Sequence, residues 1–322
     1  MKVLIIKLTS MGDLMHALPA LTDAVKVNKE ISFDWVVDEN FSSVPKWHPN
    51  VDQVITTNHR TWKKQIFNQN SREAFKRSLK KINNSHYDVV VDMQNNIKSS
   101  FISALCNFDV HGMDASSVRE LPAHWSYKHL YKIPKQLHAI SRQRLLLSNC
   151  LNYKINEKII DYGITKTNFD KPKVNLPNRY VVLVHNASKA NKLWPIKYWQ
   201  EIINNLHTLG FSCVLPSGNK SEFHRAQKIS TCSPHAYALE PMPLNNIAFI
   251  MDSSQGSICS DTGLAHLAAL VGIPSITMYS VTDHKLIGTS GKNQKHIVSK
   301  NKKMESIFPQ EIFNEFTSMK RI

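Results

Sequence analysis

Short β-branched runs alternate with helix-spaced apolar residues along this chain, and the alternation occurs twice. Runs at 3–6, 33–37, 54–55 and 89–92 are apolar without alternation, which predicts strands of a parallel sheet buried on both faces. Between the first two, Leu18, Leu21 and Val25 form a helical stripe, and Pro19 suits its first turn. A second series predicts strands at 180–184, 211–215, 237–239, 257–259 and 275–278, separated by helices at 196–209, 221–229, 244–251 and 262–270. The intervening pattern weakens from about residue 152 and ends in KTNFDKPKVNLP, with two prolines. Parallel neighbours require crossover connections, so the chain reads as α/β: two Rossmann-like, doubly wound domains facing across a cleft. The expected boundaries are 1–165 and 178–305, with a linker at 166–177. A last helix within 306–322, carrying Phe308, Ile312 and Phe316 at helical spacing, should pack back on one domain.

Charge narrows the partners. The 322 residues carry 40 Lys and Arg against 25 Asp and Glu, a net charge of +15, which calls for an anionic ligand or surface. The densest stretch holds Arg60, Lys63, Lys64, Arg72, Lys76, Arg77, Lys80 and Lys81 against Glu73 alone. Phe75, Leu79 and Ile82 give its second half an ordinary core face beneath a solvated basic one. Trp62, Ile66 and Phe67 interleave with the first half and can also seat on anionic lipid headgroups, where each basic side chain adds about 1 kcal/mol. No apolar run approaches the roughly 18–20 residues of a membrane helix. The five cysteines are scattered, and the fifteen histidines show no ligand spacing. These features predict a cytoplasmic protein with reduced thiols and no metal site.

Three strand-to-helix loops of the second half carry groups suited to a nucleoside diphosphate. In SICSDTGLAHLAALVGIPSITMYS a strand ends at Asp261, Thr262 and Gly263 turn, and an alanine-rich helix begins at once. Its unpaired N–H groups suit a diphosphate, Gly263 admits close approach, and His266 shares a face with Thr262. As plain structure the same residues make a helix cap. In NASKANKLWPIKYW, Ser188 and Lys192 offer a hydroxyl and an ammonium. In LPSGNKSEFHRA, Glu222 can accept two bonds from a ribose diol or serve as a first-turn helix acid. The first half is different: VLIIKLTSMGDLMHALPAL puts one glycine and Asp13 in its strand-to-helix connection, where an anion would not be welcome.

The pattern D-T-G-x-x-H, followed by A-A and a G-x-P turn, resembles the ADP-heptose:lipopolysaccharide heptosyltransferases, inverting glycosyltransferases of the GT-B fold. MGDLMHALPALTDA, FDWVVDENF, KLWPIKYW and SDTGLAHLAA occur in the family's order over nearly the whole chain. FDWVV and PKWHPNVDQVI resemble the branch that adds the first heptose to Kdo2-lipid A. The resemblance implies ADP-heptose as donor, Kdo2-lipid A as acceptor, no cofactor, and a peripheral position on the cytoplasmic face of the inner membrane. It implies Asp13 as general base and Lys192 as the residue that steadies departing ADP. Ser188, Asp261, Thr262, Gly263 and His266 would line the diphosphate and heptose, with Glu222 and Met242 near the nucleoside. Arg60, Lys64 and Arg119, helped by Lys7, would face the anionic acceptor. Ala187 stands where a hydroxyl residue is common beside Ser188, a loss on the order of 1 kcal/mol.

That reading explains the acid: a base belongs on the acceptor side, opposite the leaving nucleotide, and contributes about 10²–10⁴ in rate. The sequence has no DxD motif, so leaving-group charge falls to Lys192, hydroxyls and a helix start. Closure of the two domains around the donor is a further expectation. Heptosyltransferase II, or another family glycosyltransferase with a different acceptor, stays open. A non-enzymatic binder of anionic ligands would leave Asp13 idle. An NAD-dependent oxidoreductase would want GxGxxG after the first strand, which TSMGDL does not supply, and a nucleic-acid partner has only Trp62 in its favour.

Overall fold

A computed structural model of the chain describes residues 1–58, 69–156 and 159–319. These divide into two compact units, Met1–Thr165 and Lys166–Ile322. The first holds strands β1 (Lys2–Ile6), β2 (Ser32–Asp38), β3 (Val51–Thr57), β4 (Val89–Asp92), β5 (Val110–Met113) and β6 (His129–Tyr131). They form one parallel sheet in the order β3-β2-β1-β4-β5-β6. The second holds β7 (Tyr180–Val184), β8 (Ser212–Leu215), β9 (Ala236–Ala238), β10 (Gly256–Ser260), β11 (Ser275–Tyr279) and β12 (Gln294–Val298). Its order, β12-β11-β10-β7-β8-β9, is the same one counted from its own first strand, again all parallel. Two doubly wound α/β sheets are therefore present, and each reverses direction beside its first strand.

Central strands form where the apolar runs predict them. Val3, Leu4, Ile5 and Ile6 are all fully buried, and so are Val181, Val182 and Leu183. Three strands carry no such signal: VHGM, HLY and QKHIV are short and contain histidine, and the last two sit at sheet edges, where one side needs no apolar cover. The edge strand β3 likewise exposes Asp52 and Gln53 and runs longer than its apolar residues. Helices Leu18–Val27, Ile196–Thr208, Lys220–Ser230, Leu244–Asp252 and Gly263–Val271 match their expected stripes to within a few residues.

Residues 166–177 are tied to the second unit. Lys166 Nζ lies 2.5 Å from Asp252 Oδ1, and Asn246 Nδ2 donates to the Asp170 carbonyl at 2.8 Å. The final helix, Pro309–Thr317, packs in that unit as well. Its Ile312 and Phe316 are fully buried among Val181, Trp199, Ile202 and Ile276. Trp194 Nε1 donates to the Ile307 carbonyl at 2.9 Å and locks the approach to this helix. Phe316 lies so close to β10 that a Cβ on Gly256 would sit 2.9 Å from its ring and 2.8 Å from the Pro274 oxygen. In the basic stretch, residues 60–67 lie outside the described residues. The helix Gln69–Asn83 that follows buries Ile82, half-buries Phe75 and Leu79, and exposes Arg72, Lys76, Arg77, Lys80 and Lys81.

The tight seat of the last helix has a measurable consequence. Phe316→Ala should lower unfolding stability by about 3–5 kcal/mol in urea titrations, through lost burial and a cavity against Gly256. A loss below 1 kcal/mol would mean that the helix does not belong to the core of the second unit.

Candidate functional site

A sheet that reverses leaves two adjacent strand ends uncovered at its carboxyl edge, because the chain leaves them toward opposite faces. In the first unit these are β1 and β4, with Ile6 in register with Asp92. Lys7 follows Ile6 and spans the gap: its Nζ donates to the Met93 carbonyl at 2.8 Å. Burial lowers the Lys7 pKa to about 8, against the opposing pull of the Asp13 and Asp92 carboxylates. The Gln94 side-chain oxygen accepts from the backbone N–H of Leu8 at 3.0 Å and Thr9 at 3.1 Å, so the two loops are laced together.

Asp92 organises the β4 side. Its Oδ1 accepts from the N–H of Gln94 at 2.8 Å and Asn95 at 2.9 Å, and its Oδ2 from Tyr127 at 2.8 Å and Ser103 at 3.2 Å. Burial raises its pKa, and the hydrogen bonds from Asn95, Tyr127 and Gln94 pull the other way. Asn95 turns with a left-handed φ of 56°, a conformation asparagine tolerates well. Its Oδ1 accepts from Met113 N at 3.0 Å and its carbonyl from Arg119 N at 3.1 Å, which sets the position of Arg119.

Asp13 lies in the connection between β1 and the helix Leu18–Val27, as expected. The connection has a helical turn of its own, Met11–Met15, and Asp13 is the third residue of that turn. Asp13 Oδ2 accepts from Ser10 N at 3.1 Å and Ser10 Oγ at 3.0 Å, and Arg119 Nη1 lies 3.8 Å away. The serine and the acid nucleate the turn by reciprocal capping chemistry. Asp13, Lys7 and Arg119 thus meet at one strand reversal. Arg60 and Lys64 lie outside the described residues.

In the second unit the reversal falls between β7 and β10. Lys192, in the loop after β7, places Nζ 2.6 Å from Asp261 Oδ2 just beyond β10, and Thr282 donates its hydroxyl to the same oxygen. Ser280 Oγ donates to the Asn191 carbonyl at 3.0 Å, and Arg225 Nη2 to the Trp194 carbonyl at 2.6 Å, so the loop is held on either side of Lys192. Thr262 precedes the helix Gly263–Val271 in an extended conformation, and its side chain makes no capping bond. The expected Thr262 cap is absent, which leaves the hydroxyl available beside the first N–H groups of the helix. Ser188 is exposed in the same loop as Lys192, and His266 is buried on the helix.

Glu222 sits in the first turn of the helix Lys220–Ser230, the plainer of its two expected readings. Its Oε2 accepts from Gly218 N at 2.8 Å and its Oε1 from Asn219 Nδ2 at 2.9 Å, while Asn219 Oδ1 accepts from Glu222 N at 3.0 Å. The acid caps its own helix, since Asn219 at the N-cap and a carboxylate three residues on satisfy each other locally. Met242 is half-buried between β9 and the helix Leu244–Asp252. Sequence reasoning missed Asp92, Asn95, Tyr127 and Arg225. DMQNN, an acid and two asparagines at the end of an apolar run, was the available signal for the first two. His185 was missed too; burial, then the Arg225 cation, lowers its pKa to about 3 and keeps it neutral.

The model of glycosyltransferase family 9 (heptosyltransferase) matches residues 74–315. This chain belongs to glycosyltransferase family 9. Among its relatives, lipopolysaccharide heptosyltransferase 1 of Escherichia coli K12 is 35% identical over 99% of this chain and 100% of its own. The protein of the same name from Pseudomonas aeruginosa is 33% identical over 93% of this chain and 84% of its own. A solved structure of E. coli heptosyltransferase WaaC with ADP superimposes with a TM-score of 0.93 at 34% identity, covering 98% of this chain and 99% of that one. The same enzyme with ADP-2-deoxy-2-fluoro heptose gives 0.89 at 33% identity, over 98% and 99%. Family membership makes the protein a glycosyltransferase, and its two parallel-sheet units match the GT-B fold of the solved heptosyltransferases. Among the described residues no group of three or more His, Cys, Asp or Glu is placed to hold a metal ion.

The buried ammonium at the first reversal can be titrated through stability. Lys7 has a folded pKa near 8 and an ordinary value of 10.5. Between these the unfolded chain binds more protons, so the stability penalty of Lys7 fades as pH rises through that window. Wild type should therefore gain about 3 kcal/mol on Lys7→Met between pH 8 and 10.5 in paired denaturation curves. Parallel curves would mean that Lys7 is solvated.

Proposed function

We propose that this family 9 glycosyltransferase moves heptose from ADP-heptose to Kdo of Kdo2-lipid A with inversion, in lipopolysaccharide inner-core synthesis. The first unit takes the acceptor and the second the donor. Asp13 removes the proton of the attacking Kdo hydroxyl, the new bond forms at the anomeric carbon of heptose, and the bond to ADP breaks on the opposite face. Lys192, held at 2.6 Å from Asp261, turns its charge to the departing diphosphate, and the start of the helix Gly263–Val271 adds its N–H groups. Ser188, Thr262 and Gly263 line the diphosphate; Asp261 and His266 lie toward the heptose. Glu222 and Met242 approach the nucleoside, with Glu222 exchanging a cap bond for the ribose. Arg119, Lys7, Arg60 and Lys64 meet the acceptor's negative groups.

The observation that carries this reading is the contrast between the reversals. One presents a carboxylate held by Ser10, and the other a lysine beside an uncapped helix start. A base for the acceptor in one unit and a cation for the leaving anion in the other are the groups an inverting transfer needs, and full-length similarity to heptosyltransferase 1 proteins supports heptose as the sugar. The protein works at the cytoplasmic face of the inner membrane, in peripheral contact with its anionic surface.

The test is ADP release from ADP-heptose with Kdo2-lipid A, in EDTA, for wild type and Asp13→Asn. Acceptor-dependent release should survive EDTA and fall about 10²–10⁴-fold in the variant, with ADP affinity unchanged. Turnover only with an already heptosylated acceptor would make the protein a later transferase of the family. A variant as active as wild type would remove Asp13 from the chemistry.

A further inference from the structure

The helix Ile97–Leu105 is built inside out. Its buried positions are Ser99, Ile102 and Ser103, while Ile97, Phe101 and Leu105 form an exposed stripe at four-residue spacing. The serines face inward because they are used there: Ser103 binds Asp92, and Ser99 closes the cap with Asn96. Ile97, Phe101 and Leu105 stay more than a third exposed among the described residues. The stripe is also not alone. The segment Leu121–Ser126 packs beside this helix and exposes Leu121 at 66% and Trp125 at 80%. Phe101, 56% exposed, stacks on Phe75 of the neighbouring helix Gln69–Asn83, with ring centroids 5.6 Å apart. Large apolar side chains clustered on a surface mark an interaction site, whereas scattered ones do not.

The charge around this patch selects the occupant. Gln69–Asn83 exposes Arg72, Lys76, Arg77, Lys80 and Lys81 against Glu73, and Lys98 stands within the apolar stripe. Apolar side chains that include an exposed Trp, flanked by lysines and arginines, match the boundary between acyl chains and anionic headgroups. Among the described residues no helix is long and apolar enough to cross a membrane, so they can meet a bilayer only from its surface. We infer that the face formed by Ile97, Phe101, Leu105, Leu121 and Trp125, with the basic helix beside it, is where the protein docks on an anionic bilayer.

The docking face is continuous with the proposed acceptor site. Ile97 N donates to Glu120 Oε2 at 2.9 Å, and Glu120 lies between Leu121 of the patch and Arg119 of the Asp13 pair. A lipid-anchored acceptor held in the same bilayer would present its sugars beside Asp13 without leaving the membrane. The inference rests on the peripheral, lipid-linked reading above and names the surface that performs it.

The experiment is sedimentation of the full chain with vesicles of phosphatidylethanolamine and phosphatidylglycerol, and with phosphatidylcholine vesicles as the neutral control. Wild type should bind the anionic vesicles, more weakly at high salt, and the neutral ones poorly. Phe101→Ser/Trp125→Ser should bind anionic vesicles at least tenfold more weakly, and Lys76→Glu/Lys80→Glu should remove most of the salt dependence. All should keep wild-type melting and wild-type turnover on a delipidated, soluble acceptor. Vesicle binding that ignores both variants overturns the inference, as does a wild type that binds no vesicle. A concentration-dependent dimer that Trp125→Ser dissolves would also overturn it and assign the patch to a second copy. Patch-dependent vesicle binding with no heptose transfer would sink the transferase reading and leave the docking surface standing.

Discussion

In each unit a lysine ties together the two neighbouring strand ends at which the sheet reverses. Lys7 reaches from the end of β1 to the carbonyl of Met93 past β4, and Lys192 reaches from the loop after β7 to Asp261 past β10. Those ends are the least covered part of a doubly wound sheet, since the crossover helices depart from them in opposite directions. The ties differ in kind. Lys7 is buried against a neutral carbonyl, where desolvation works against its charge. Lys192 is paired with a carboxylate and partly open to solvent, which is the state of a cation that can change partners.

Arg119, which lies 3.8 Å from Asp13, is placed by a network of hydrogen bonds. Asp92 holds the turn through Gln94 and Asn95, Tyr127 and Ser103 brace Asp92, and Asn95 sets both Met113 and Arg119. Bracing by packed, hydrogen-bonded neighbours fixes the position of each of these groups closely. The bracing also shapes the surface. Because Ser99 and Ser103 serve the network from inside, the apolar residues of their helix turn outward and form the patch with Leu121 and Trp125.

The second unit carries Lys192 on a loop between rigid elements. Arg225 and Ser280 hold that loop on either side of Lys192, and Trp194 fastens it to the core through Ile307. The terminal helix is part of that core through Ile312 and Phe316.

By itself the sequence determined the architecture and most of the site's inventory. Unbroken apolar runs such as VLII and YVVLV can satisfy burial on both faces only as central parallel strands, and SDTGLAH announces a strand, a turn and a helix start. Tertiary structure alone decided β5 and the edge strands β6 and β12, whose few apolar residues take their pairing from neighbours. It decided that Glu222 caps its own helix, because a carboxylate takes whichever donors lie nearest. It also decided that Asp92 gathers Gln94, Asn95, Ser103 and Tyr127 and that the apolar stripe of Ile97–Leu105 faces out. Local propensity is written in neighbours along the chain, while contacts such as Asp92 to Tyr127 join residues 35 positions apart and exist only once the sheet has brought them together.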